Sequence, residues 1–157
     1  MTADDVPPPL RHLVPLFPAD GRMIEIEETE TPGGKAYRLK ATFARRTATA
    51  CDDDFEEALH ALVRGLPAGI VPQMCRACRY GWSDLFGSDT GRDAISCFRE
   101  AKELALDLEQ NLKHASDAAF AYMGRHVVDA FDRCDEFEPS ARFRQAGDAT
   151  PPPASSA

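Results

Sequence analysis

The clearest pattern in the chain is an alternation of apolar and charged positions. Met23-Ile24-Glu25-Ile26-Glu27 places every second side chain on one face, the period of a half-buried strand. Pro32-Gly33-Gly34 then supplies turn chemistry, and the alternation resumes through Tyr37, Leu39, Ala41 and Phe43, with Arg38, Lys40 and Thr42 opposite. Residues 22–46 are therefore expected to form a β-hairpin. Its polar faces are acidic on the first strand and basic on the second, so charge pairing would favour one register, at roughly 0.2–1 kcal/mol per pair.

The period then changes. Phe55, Leu59, Leu62, Val63 and Leu66 recur at helical spacing. Asp52 or Asp53 can cap the helix, Glu56 and Glu57 suit its positive end, and Gly65 with Pro67 stops it. The Asp52-Asp53-Asp54 run reads as a solvated helix start, because no calcium-loop spacing follows it. A second, longer helix is expected over Phe98 to Lys113, with Phe98, Ala101, Leu104, Ala105, Leu108 and Leu112 on one stripe. Residues 116–131 fit either a helix capped by Ser116, with Gly124 in its middle, or a short helix followed by a strand through Val127 and Val128.

Between the helices the chain loses its periodicity. Ile70-Val71-Pro72-Gln73-Met74 fits a short strand entering a cysteine-bearing loop, which Gly81, Gly87 and Gly91 break up and Trp82, Leu85 and Phe86 line with apolar surface. The fold class expected is α+β, a β-hairpin followed by two or three helices, with a cysteine knuckle loop. Residues 1–20, punctuated by Pro7, Pro8, Pro9, Pro15 and Pro18, read as a Pro-rich extended arm. Residues 21–144 read as one domain, and 145–157, rich in Gly, Pro, Ser and Ala, as a disordered tail.

Composition narrows the function classes. At 157 residues the chain suits one domain. Aromatics make up only 8%, so the core is modest and a structural metal would be useful to it. A net charge of -8 argues against a general nucleic-acid or anionic-membrane binder, whose affinity comes from clustered Lys and Arg. The acidic, Pro-rich start shows no basic region followed by an apolar stretch, and no apolar run approaches the roughly 20 residues of a membrane helix. A cytoplasmic protein is expected, with its thiols reduced.

Five cysteines in such a compartment favour metal binding or redox chemistry over disulfides. Cys75-x-x-Cys78 matches half of most structural zinc sites. Cys97 and Cys134 would complete a four-thiolate shell; the plain alternative is that both are small buried residues. Cys51 falls outside this spacing and is expected to be a free, partly buried thiol. Arg76, Arg79, Arg92, Arg99 and Lys102 would offset the negative charge of a zinc–tetrathiolate centre, and acidic residues interleave with them. His12, His60, His114 and His126 form no constellation; His126 is an alternative ligand. No phosphate loop, nucleophile elbow or His-Glu-x-x-His is present, and no catalytic residues stand out.

In combination, Cys75-x-x-Cys78-x-Tyr80, Phe86-Gly87, Cys97-Phe98-Arg99 with Lys102, and Cys134-Asp135-Glu136-Phe137-Glu138 resemble the motifs of a bacterial family of unknown function. The resemblance spans roughly residues 70–140. It departs at Gly81-Trp82 and in the polar stretch from Gly87 to Gly91. It implies that the four cysteines act as one set and implies no activity. The expectation is a non-catalytic, zinc-stabilised interaction or accessory module, with a protein partner, no nucleic acid and no membrane. A thiol redox protein using Cys75 and Cys78, or an iron–sulfur protein, is the alternative.

Overall fold

The computed structural model describes residues 7–18, 20–43, 45–83 and 94–143. The hairpin is present as β2 (Met23–Thr31) and β3 (Gly34–Phe43), but it is the middle of a larger sheet. It is flanked by β1 (Leu10–Phe17) and β4 (Arg46–Asp52), and β5 (Val71–Pro72) closes the far side, giving the order β4-β3-β2-β1-β5. A second sheet of three short strands follows: β6 (Gly81–Ser83), β7 (Ala94–Cys97) and β8 (Val127–Asp129). The helices are α1 (Phe55–Gly65), α2 (Lys102–Asn111) and α3 (Asp117–Tyr122).

This corrects the expected architecture of one hairpin followed by helices: the described residues carry eight strands in two sheets and only three α-helices. The Pro-rich arm supplies one of the added strands. Pro15 lacks a backbone donor, yet its carbonyl accepts from the Gln73 N–H at 2.8 Å, and Val14 pairs with Ile24 on the β2 side. β4, with Ala48 and Ala50 as its inward residues, carries too little apolar contrast to read as a strand.

The sheet's two faces follow its register. One row crosses it as Val14, Ile24, Ala41 and Ala48, the next as His12, Ile26, Leu39 and Ala50. On the other face Glu25 stands opposite Lys40 and Glu27 opposite Arg38, and Arg11 adds ion pairs to Glu25 (3.8 Å) and Glu27 (3.3 Å). Helix α1 covers the apolar face with Phe55, Ala58, Leu59, Leu62 and Val63. Its N-cap is Asp54, whose carboxylate accepts from the Glu56 and Glu57 N–H groups at 2.8 and 3.1 Å; Asp52 instead accepts from the Asp54 N–H and shapes the approach.

The longer expected helix begins four residues late, at Lys102, leaving Phe98 buried in the turn before it. Residues 116–131 take the short-helix-then-strand course. Ser116 caps α3, and Gly124, at a φ of 79° that favours glycine, turns the chain toward β8. The Asp107 carboxylate accepts from the Ser116 N–H at 2.8 Å, tying α2 to α3 and holding its own pKa below the usual carboxylate value.

The segment after Cys134 returns to the core. Phe137 meets Phe17, and Phe143 stacks on His60 with ring centroids 4.4 Å apart. Among the described residues, no helix is long and apolar enough to cross a membrane.

Candidate metal centre

The Cys-x-x-Cys pair sits where the two sheets meet. Cys75, Arg76 and Ala77 form a single 3-10 turn, closed by the Cys78 N–H donating to the Cys75 carbonyl at 3.2 Å. Two distant segments clamp this turn. On one side the Cys75 N–H donates to the Asp132 carbonyl (2.6 Å) and the Arg76 N–H to the Ala130 carbonyl (3.1 Å). On the other the Arg79 N–H donates to the Glu138 carbonyl (2.7 Å), and the Ser140 N–H to the Ala77 carbonyl (2.9 Å). The chain on either side of Cys134 is therefore bonded to the knuckle through its backbone.

Cys97 arrives by a different route. It ends β7, pairs in register with Gly81, and donates its N–H to the His126 carbonyl at 2.7 Å. The next residue, Phe98, donates to the Tyr80 carbonyl at 2.8 Å. Gly81 matters sterically: a Cβ there would lie 2.1 Å from the Cys75 carbonyl oxygen and 3.1 Å from Ile95 Cγ2. Only a residue without a side chain lets the knuckle turn lie this close to the second sheet.

Cys75, Cys97 and Cys134 open onto one cleft of about 290 Å³, beside Arg99, His126 and Asp132. Cys78 is buried and does not line it. The electrostatics link all four thiols. Burial pushes Cys75 up to about 12, reinforced by the negative charges of Cys97, Cys78, Cys134 and Asp132. Burial also raises Cys78, and Cys134 and Cys97 add to it, but backbone N–H groups of Glu138 and Tyr80 favour its thiolate. Among the described residues, no three His, Cys, Asp or Glu side chains form a group that could hold a metal ion. Three of the four cysteines thus border a common cleft without closing a coordination shell.

The donor chemistry fits zinc in its residue types: four sulfurs, two of them buried, one with two backbone amides directed at it. A dication would offset the burial and the neighbouring negative charge that raise Cys75 and Cys78, since thiolates are the form that binds it.

Other expected residues fall differently. Arg76 forms an ion pair with Glu56 at 2.6 Å and also bonds Ser83, and Arg79 pairs with Glu109 at 2.8 Å. Both cations are thus engaged by carboxylates of α1 and α2, and Arg79 also reaches Glu138 at 3.9 Å. Lys102 pairs with Glu136 at 2.8 Å and lies over the Tyr80 ring. Trp82 is buried, with Arg142 over its face at 4.9 Å. Cys51 is free and, contrary to expectation, exposed on β4. Leu85, Phe86, Gly87, Gly91 and Arg92 lie outside the described residues, as does the tail from 145 to 157.

Asp132, and the amides of Tyr80 and Glu138, belong to the site yet were not legible in the sequence. Backbone donors carry no residue-type signal, and Asp132 is one acid among many. No family model, curated protein or solved structure matches this chain.

Proposed function

We propose that the chain is a non-catalytic module of the cytoplasm whose second sheet is held by one zinc ion on Cys75, Cys78, Cys97 and Cys134, and which serves as an interaction or accessory domain. The observation that carries this reading is the poverty of the second sheet. Trp82 of β6 packs into the main core, but the sheet's own buried cluster is only Cys75, Ile95 and Ala130, with Val128 beside them. Strands of three and four residues with so small a core need a further constraint. Three thiols open onto the cleft at that point, and the fourth is buried and does not line it. The closing of these sulfurs around an ion would tie β7, the knuckle and the segment after β8 together, and in small zinc peptides such binding is worth roughly 10–16 kcal/mol near neutral pH.

The thiol redox reading is weaker on two counts. A reactive Cys-x-x-Cys pair needs a depressed thiol pKa, whereas burial raises both Cys75 and Cys78. The motif also opens a single 3-10 turn, not the helix that a thioredoxin-like pair requires.

Elemental analysis of the purified chain tests the proposal. About one zinc per chain is expected, with loss of thermal stability on chelation and of zinc in Cys75→Ser and Cys134→Ser variants. Metal-free protein whose melting is indifferent to chelator and to added zinc refutes it. Stoichiometric iron would replace it with the iron–sulfur reading.

A further inference from the structure

Strand β4 is the outermost strand of the large sheet, and among the described residues no strand or bridge pairs with its outer side. A groove of about 500 Å³ runs along it, lined by Phe43 and the stretch from Arg46 to Thr49 on the sheet and by the end of α1 from Gly65 to Pro67. The four consecutive residues from Arg46 to Thr49 have alternate side-chain directions, so the groove takes in the backbone edge of β4 as well as the face beneath the end of α1. Free edges of this kind are templates for another strand, and proteins usually blunt them with Pro, a bulge or central charges. The stretch from Thr47 to Cys51 has none of these: it reads Thr-Ala-Thr-Ala-Cys.

The charges sit at its two ends instead, with opposite signs. Arg45-Arg46 precedes this neutral centre and Asp52-Asp53 follows it, all four exposed. We infer that β4 is a dimerisation edge that pairs antiparallel with β4 of a second copy of this chain, about a two-fold axis through Thr49. This register sets Arg46 opposite Asp52 of the other copy at both ends, with Arg45 and Asp53 just beyond the paired strands. Ala48 faces Ala50, Thr47 faces Cys51, and Thr49 faces itself. Each opposed pair lies on the same face, as antiparallel pairing demands. Shifting the register by two residues would set Arg46 against Ala50, or against Asp54, which lies beyond the strand and whose carboxylate caps α1, so neither shift keeps a charge match within the strands. The pairing is isologous, and it extends one sheet into the other. A single edge strand buries little area, so the dimer is weak and concentration-dependent. It uses none of the four clustered cysteines and stands apart from the zinc reading.

Sedimentation equilibrium of the full chain tests it, together with cross-linking. The mass should rise from 17.2 kDa toward twice that value as concentration increases. Arg46→Asp should raise the dimer dissociation constant about ten-fold by opposing two carboxylates at both ends, and Arg46→Asp/Asp52→Arg should restore it. In a Cys51→Ser background, Thr49→Cys should form an intermolecular disulfide under mild oxidant. Thr47→Cys should not, because its copies would lie about 13 Å apart along the strands. A chain that stays monomeric at millimolar concentration overturns the inference, as does equal cross-linking from both positions. A dimer indifferent to the charge reversal assigns the interface elsewhere and also overturns it.

Discussion

Gly81 offers the sharpest check on how the knuckle is held. Gly81→Ala would place a methyl group 2.1 Å from the Cys75 carbonyl oxygen and 3.1 Å from its carbon. Neither atom is the end of a flexible side chain. Relief requires the Cys75–Ala77 turn or strand β6 to move by about 1 Å, in a region packed to interior density. The turn is clamped by Asp132 and Ala130 on one side and by Glu138 and Ser140 on the other. β6 is bonded to β7, and Arg142 donates to the Gly81 carbonyl at 3.0 Å. Overpacking of this kind costs typically 1–3 kcal/mol, and a backbone clash belongs at the upper end. About 3 kcal/mol corresponds to a melting temperature lower by roughly 6–12 °C for a chain of this size. Because Cys97 pairs with Gly81, the same displacement separates Cys97 from Cys75 and, on the zinc reading proposed above, should weaken metal retention. Urea denaturation and calorimetry, each with and without chelator, measure both effects. Gly65→Ala is the control: its added methyl meets only the Ala48 side chain, at 3.4 Å, and should change little. Wild-type melting of Gly81→Ala would refute the close approach on which the site geometry rests.

Other outcomes follow from the same contacts. Asp54→Ala removes the acceptor for two amides at the start of α1 and should cost about 1 kcal/mol, read from the urea midpoint, while Asp53→Ala should cost much less. Metal-free protein should lose stability as pH rises from about 9 toward 12. Burial keeps the Cys75 thiol protonated in the folded chain while the unfolded chain ionises it near 9.0, so the folded state binds more protons across that window. Stability unchanged through that range, measured on the chelated chain, would refute the burial of that thiol. At the acid end, Asp107 acts with the opposite sign. Its lowered pKa makes its contribution present above the ordinary carboxylate value of 3.8 and lost as pH falls below it, and Asp107→Asn should flatten that part of the acid-unfolding curve.

Local chemistry determined much that the sequence displays. The alternation around Ile24 and Leu39, with Pro32-Gly33-Gly34 between, specifies a hairpin because side chains two apart share a face. The apolar spacing from Phe55 to Val63 and the acidic start specify α1, although which aspartate caps it depends on one turn's geometry. The Cys-x-x-Cys pair, and the choice of thiols as the chemistry to follow, were also legible. Tertiary structure alone decided the rest. Leu10–Phe17 is a strand only because β2 and Gln73 accept it, and its prolines argue locally for something else. β4 carries alanines because α1 packs closely over them, which leaves little pattern to read. In the second sheet β8 was foreshadowed by Val127 and Val128, whereas β6 and β7, of three and four residues, are too short for an alternation to stand out and lay in the stretch read as the cysteine loop. The common cleft of Cys75, Cys97 and Cys134 is likewise a product of long-range backbone bonds, which leave no trace in residue spacing.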